Sequence, residues 1–266
     1  MKEGPLKRFL ISALAAVVLY GCGADRAGER FKTAELLLGA GDYAGAVAEY
    51  SRVVRDFHDS SYAPESQYKI ALVYNRHLSD EKRAMDAYST LLYLFPESPE
   101  ARLAREDMAG IFSARGEHLK AIEEYERLAE AYPADDARLR FATAMEYFRM
   151  NDFRQARIEL AGILKKSPPA DLVPRVKYRI AYIHYIEGDT EKALEAFDEI
   201  ARDWPDDPLA VEALLGKAKA LEEAARPREA LEILKGLLDR YPNREVVATR
   251  IKWVKKRMTE GPGPKR

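Results

Sequence analysis

The sequence predicts an all-α fold, a right-handed superhelical α-solenoid of about six helical hairpins plus a C-terminal capping helix. Three periodic features predict it. One alanine recurs at separations of 38, 37, 35, 37 and 37 residues. A second alanine precedes it by about twelve positions, and a proline follows by twelve, so each period reads as two helices and a stop. Charged residues make up 33% of the chain and hydrophobic ones 47%, which suits helices with one buried stripe each.

Taken in order, the chain opens on an address. Lys2, Lys7 and Arg8 precede Phe9 to Leu19, an apolar run of 11 residues. A bilayer span needs about 20 apolar residues, so residues 1–21 read as a signal peptide. The run ends in Leu19-Tyr20-Gly21-Cys22, which resembles the lipobox of bacterial lipoproteins. The resemblance implies cleavage before Cys22 and acyl chains, palmitate among them, on its thiol and new amine. Two or three chains make a durable anchor where one is marginal. Gly23 in place of Asp resembles the sorting signal for the outer membrane of a diderm bacterium. The implied location is the outer membrane, lipid-anchored and facing the periplasm. Residues 22–30 then read as the lipidated Cys and a tether.

The recurring alanines are Ala46, Ala84, Ala121, Ala156, Ala193 and Ala230. Their partners twelve before are Ala34, Ala109, Ala144, Ala181 and Ala218; Ala71 stands thirteen before, which predicts one extra residue in that turn. Antiparallel helices approach closely only where side chains are small, so each pair marks a crossing. Tyr50, Tyr88, Tyr125, Leu160, Phe197 and Leu234, one turn later, fill the space beside it. Gly41, Gly116, Gly188 and Asn151 fall where a left-handed backbone closes each hairpin. Pro96, Pro133, Pro168, Pro205 and Pro242 stop the second helices, with His58 in that place in the first repeat. Ser98-Pro99 and Asp207-Pro208 read as an N-cap and first helical residue. The hairpins occupy residues 31–243, an amphipathic capping helix 244–258, and a disordered tail 259–266.

This pattern resembles the tetratricopeptide repeat family. The longer period and the aromatic-Pro stops at 95–96, 132–133, 204–205 and 241–242 look like a subset found in envelope lipoproteins and periplasmic proteins. Lipobox and hairpins together resemble the BamD/YfiO-like outer-membrane assembly lipoproteins, and FHDSSYAPESQYKIALVY looks like their first inter-repeat junction. YbgF-like Tol-Pal coordinators and pilotin-like lipoproteins for secretin or pilus assembly are the alternative readings. All three imply a scaffold that binds other cell-envelope proteins.

Chemistry of other kinds finds no motif. Cys22 is the only cysteine, which excludes an intrachain disulfide and a multi-thiolate metal site. His58, His77, His118 and His184 stand at no ligand spacing, and no phosphate loop, GxSxG elbow or HExxH pair occurs. We therefore expect no catalytic or metal residues, no cofactor, no small-molecule substrate and, at a net charge of −1, no nucleic acid. Glu123, Glu124 and Glu126 read as a solvated acidic face.

By the family resemblance, a partner lies along the first helix of each hairpin. That face holds Tyr68, Leu72, Asn75 and Arg76 in the second repeat, and Phe141, Met145, Phe148 and Arg149 in the fourth. The fifth offers Arg175, Tyr178, Tyr182 and Tyr185. Spacings of three and four put each set on one stripe, an aromatic strip with arginines at its edges. Tyr68 and Tyr178 read as framework; for Phe148, Tyr182 and Tyr185, packing and partner binding both stay open. The C-terminal segment, with Arg244, Arg250, Lys252, Lys255, Lys256, Arg257, Lys265 and Arg266 against Glu245 and Glu260, reads as the solvated face of a cap. An acidic partner or a phospholipid surface is the second reading there.

Overall fold

The structure, a computed structural model, describes residues 26–260. Thirteen α-helices and no strand occur among the described residues. They fall into two compact units that divide between Glu124 and Tyr125. The first holds α1 (26–39), α2 (Tyr43–Asp56), α3 (Tyr62–Leu72), α4 (Glu81–Leu94), α5 (Pro99–Ala114) and the start of α6 (His118–Ala131). The second holds the rest of α6, then α7 (Asp136–Arg149), α8 (Phe153–Leu164), α9 (Val173–Ile186) and α10 (Thr190–Asp203). It ends with α11 (Pro208–Glu223), α12 (Pro227–Leu237) and α13 (Arg244–Glu260). Substantial helix contacts join sequence neighbours, with α3 to α5 and α9 to α11 bridging one helix.

The alanine register is what closes each hairpin. All twelve alanines of the six pairs, from Ala34 and Ala46 to Ala218 and Ala230, are fully buried. Tyr50, Tyr88, Leu160, Phe197 and Leu234 are buried beside them, as one turn's spacing requires. In the first unit these groups form one core with Ile70, Leu91 and Met108. Gly41, Asn151 and Gly188 carry φ of +81°, +61° and +79°, and each is followed directly by an Asp. The carboxylates of Asp42 and Asp152 then accept the backbone N–H three residues on, at 2.9 Å, and start the second helix. Ser98 caps α5 in the same way, Asp207 caps α11 by accepting the Leu209 N–H two residues on, and proline is the first helical residue of both.

Several expectations change. The tether does not reach residue 30, because the chain is helical from 26: Ala27 is fully buried, and Phe31 packs on Tyr50 and Tyr62 at 5.6 and 5.3 Å. The extra residue of the second repeat is wound into the helix and not added to the turn. Val73–His77 forms a π-helical turn in which Leu78 N donates to Val73 O at 3.1 Å. Pro168 and Pro242 do not stop α8 and α12, which have already ended at Leu164 and Leu237. Phe95 and Trp204, by contrast, terminate α4 and α10 immediately before Pro96 and Pro205. Finally, Glu124 is buried and not solvated, its carboxylate 2.7 Å from Arg105.

That last pair belongs to a series. Arg30 with Glu49, Arg105 with Glu124 and Arg140 with Glu159 each join the two helices of one hairpin across nineteen residues, at 2.9, 2.7 and 3.3 Å. The second hairpin has Gln67 in the slot, donating to Ala87 O at 2.9 Å. Helix α13 lays Val247 and Val254 against Leu234 and Leu237 of α12. It runs two residues past 258, to Glu260; the remainder of the tail, the signal peptide and Cys22 lie outside the described residues.

Candidate functional site

The strip expected on the fourth and fifth repeats forms within the second unit. Phe148 of α7 packs against Phe153 at 5.4 Å and Tyr182 of α9 at 6.1 Å. Tyr182 continues to Tyr178 at 6.3 Å, nearly parallel, and to Tyr185 at 5.8 Å. Phe141 and Met145 flank Phe148 over the core that α7, α8 and α9 share. All of these side chains are half-buried, so each keeps one side open to solvent.

Charge is placed along the strip with a consistent pattern. The Arg175 guanidinium lies 5.0 Å from the centre of Phe141, and that of Arg179 5.7 Å from Phe148. Neither arginine meets a carboxylate among the described residues. Arg149, expected at the edge of the strip, instead pairs with the buried Glu146 one turn back. Tyr178 leans on the fully buried Phe197 at 6.1 Å and is framework. The Tyr185 hydroxyl donates to Glu223 of α11 at 2.5 Å, which ties α9 to its neighbour. Phe141, Phe148 and Tyr182 are the aromatics of the strip with no such tie.

Tyr68 and Arg76 lie in the first unit. The Tyr68 and Tyr88 hydroxyls donate to the same Asp107 oxygen at 2.8 and 2.9 Å, so Tyr68 links neighbouring hairpins. Arg76 is exposed on the π turn. Asp107 was not legible in advance. Its signal, an acid on the otherwise apolar stripe of α5, has meaning only once two tyrosines are known to face it.

Burial and the carboxylates that accept their hydroxyls, Glu35 for Tyr50, Asp107 for Tyr68 and Tyr88, and Glu223 for Tyr185, push these pKa values well above the ordinary tyrosine range. The unfolded chain releases those protons near pH 10, while the folded chain holds them. Stability should therefore be level up to about pH 9 and fall as pH rises further. Urea midpoints measured across that range will show it. An unchanged midpoint at about pH 11 would contradict these tyrosine–carboxylate bonds.

Among the described residues no group of three or more His, Cys, Asp or Glu could hold a metal ion. What the geometry defines is a class: consecutive helical hairpins closed by small residues, with half-buried aromatic side chains left facing solvent. The tetratricopeptide repeat family matches residues 31–99 and 141–208, more than half of the chain, and a second tetratricopeptide match covers 184–250. The chain belongs to the tetratricopeptide repeat family, whose fold typically serves as a non-catalytic scaffold. No individually curated protein matches it. Among solved structures it is similar to a tetratricopeptide repeat protein from Parabacteroides merdae, with a TM-score of 0.60, 15% identity, and 89% of this chain and 94% of that one covered. It is also similar to PilW, a widely conserved type IV pilus biogenesis factor, at 0.55 and 15%, covering 85% and 98%. A third is YrrB, a tetratricopeptide protein with an unusual peptide-binding site, at 0.52 and 14%, covering 76% and 97%.

Proposed function

We propose that this protein is a lipid-anchored scaffold of the bacterial cell envelope, held at the outer membrane through Cys22 and facing the periplasm. It takes up a segment of a partner protein on the α7–α9 strip. The observation that carries this reading is the contact of Phe148 with Tyr182 beside two arginines, Arg175 over Phe141 and Arg179 over Phe148, that meet no carboxylate among the described residues. Apolar rings supply contact area and Arg175 and Arg179 supply orientation, the two residue types enriched in binding hot spots. Assembly of outer-membrane proteins, in the manner of the BamD-like lipoproteins, is the first pathway this reading implies. The likeness to PilW over nearly the whole of both chains supports pilus assembly as the second.

Two results test it. Phe148→Ala with Tyr182→Ala should weaken partner capture at least about tenfold while leaving the helical circular dichroism unchanged. Cys22→Ser should move the protein from the membrane pellet to the soluble periplasmic fraction after a carbonate wash. Retention in the pellet would reject the acyl anchor. Co-purification from membranes then separates the pathways: a barrel-assembly subunit supports the first, a secretin or pilin the second.

A further inference from the structure

The last helix carries a charge opposite to the rest of the chain. Residues 244–260 hold six Lys or Arg against two Glu, net +4, whereas residues 26–243 hold 32 against 40, net −8. The cations of α13 are also available. Lys252, Lys255 and Arg257 meet no carboxylate among the described residues, and Lys256 and Arg244 have only contacts at 3.7 and 3.6 Å. Arg250 is the exception, spent on Glu222 at 2.7 Å.

Apolar groups stand among these cations. Trp253 is 48% exposed, Val246 45% and Met258 40%, although Val247 and Val254 of the same helix are buried against α12. Arg257 and Arg250 bracket the indole at 4.7 and 6.0 Å. An open depression of about 560 Å³ runs along Val246, Thr249, Arg250 and Trp253. No described helix is long and apolar enough to cross a membrane, so α13 could only lie against one.

We infer that the exposed face of α13 docks on an anionic phospholipid surface. The cations are spread around the whole exposed arc of the helix, from Lys255 through Lys252 and Lys256 to Arg257, and do not converge on a socket. A planar layer of phosphates meets the middle of that arc, Lys252 and Lys256 with Trp253 beside them, and the long stems of Lys255 and Arg257 bend toward it from either side. An indole between guanidiniums sits at headgroup depth, and lysine stems reach past it to phosphate. The acidic remainder makes the preference directional. At about 0.15 M salt charges are screened beyond about 8 Å, so the face in contact decides, and the net-negative remainder of the chain adds no general attraction. Each basic group near such a surface strengthens partition about fivefold. This docking does not depend on the acyl group at Cys22.

The test uses residues 23–266, which contain every described residue but neither the acyl chains nor the apolar leader. Sedimentation with vesicles of equal parts phosphatidylglycerol and phosphatidylcholine should show binding at least about tenfold tighter than to phosphatidylcholine alone, with release at about 0.5 M salt. Lys252→Glu, Lys255→Glu and Lys256→Glu together should abolish it, and Trp253→Ser should weaken it severalfold. Lys32→Glu, Lys82→Glu and Lys165→Glu give the same net charge elsewhere on the chain and should leave it intact. Equal binding to both vesicle types, or equal loss in the two triple variants, would overturn the proposal. So would tighter binding to soluble polyglutamate than to the anionic vesicles, which would make the occupant an acidic protein.

Discussion

Truncating Phe197 to alanine should lower the unfolding free energy of the second unit by about 3–5 kcal/mol, the range for a buried phenylalanine. The ring is fully buried, packs on Tyr178, and shares a core with Ala181, Ala193 and Ile200, so no neighbour can collapse into the space. Its near neighbour makes a sharper test. A Cβ added at Gly216 of α11 would stand 2.7 Å from the Phe197 Cζ and 2.9 Å from Cε1. Alanine favours a helix interior over glycine by about 1 kcal/mol, while overpacking costs about 1–3 kcal/mol. Steric cost should win, so Gly216→Ala alone is destabilising. With Phe197 already truncated, the same change should become neutral or stabilising. Urea denaturation of the four proteins of this cycle measures the coupling, and additive effects would show that α11 does not rest on the ring. Hydrogen exchange should place the loss in α9–α11 and leave the first unit protected, since stability in repeat arrays is a sum of local terms.

The second large effect is expected at the junction of α11 and α13. Glu222 is nearly fully buried, and Arg250 approaches both of its oxygens, at 2.7 and 3.3 Å. Arg250→Ala would leave a carboxylate in an apolar setting, which costs about 3–5 kcal/mol when both partners are buried. Arg250 is itself partly exposed, so water can reach the site and about 2–3 kcal/mol is the expected loss. Replacing both residues, Glu222→Leu with Arg250→Met, should recover most of it, because the desolvated charge disappears with its partner. Thermal unfolding distinguishes the outcomes. A double variant less stable than Arg250→Ala would mean that the pair holds α13 in place by more than cancelling charge.

The architecture was legible because it is written in volume. Twelve alanines at near-fixed spacing cannot be solvated by chance, and every one is buried. The left-handed turns at Gly41, Asn151 and Gly188 were legible from backbone freedom alone. Polar pairs were not. The recurrence of Arg and Glu nineteen residues apart is visible in the sequence, but charge on a helix is usually solvated, and only the crossing geometry buries it. The same limit applied to the strip. Spacing placed Phe148, Tyr182, Arg149 and Arg175 on helix faces, yet Arg149 turns back to Glu146 while Arg175 and Arg179 lie over rings. Trp253 escaped notice because α13 reads as a cap, and a cap is expected to show solvent nothing apolar.

Because the substantial helix contacts within each unit join sequence neighbours or helices one further along, no long loop has to close before a core can form. A chain that folds from one end meets its packing partners in sequence order. Growth or loss of a whole hairpin would then alter the length of the assembly without asking for a new topology.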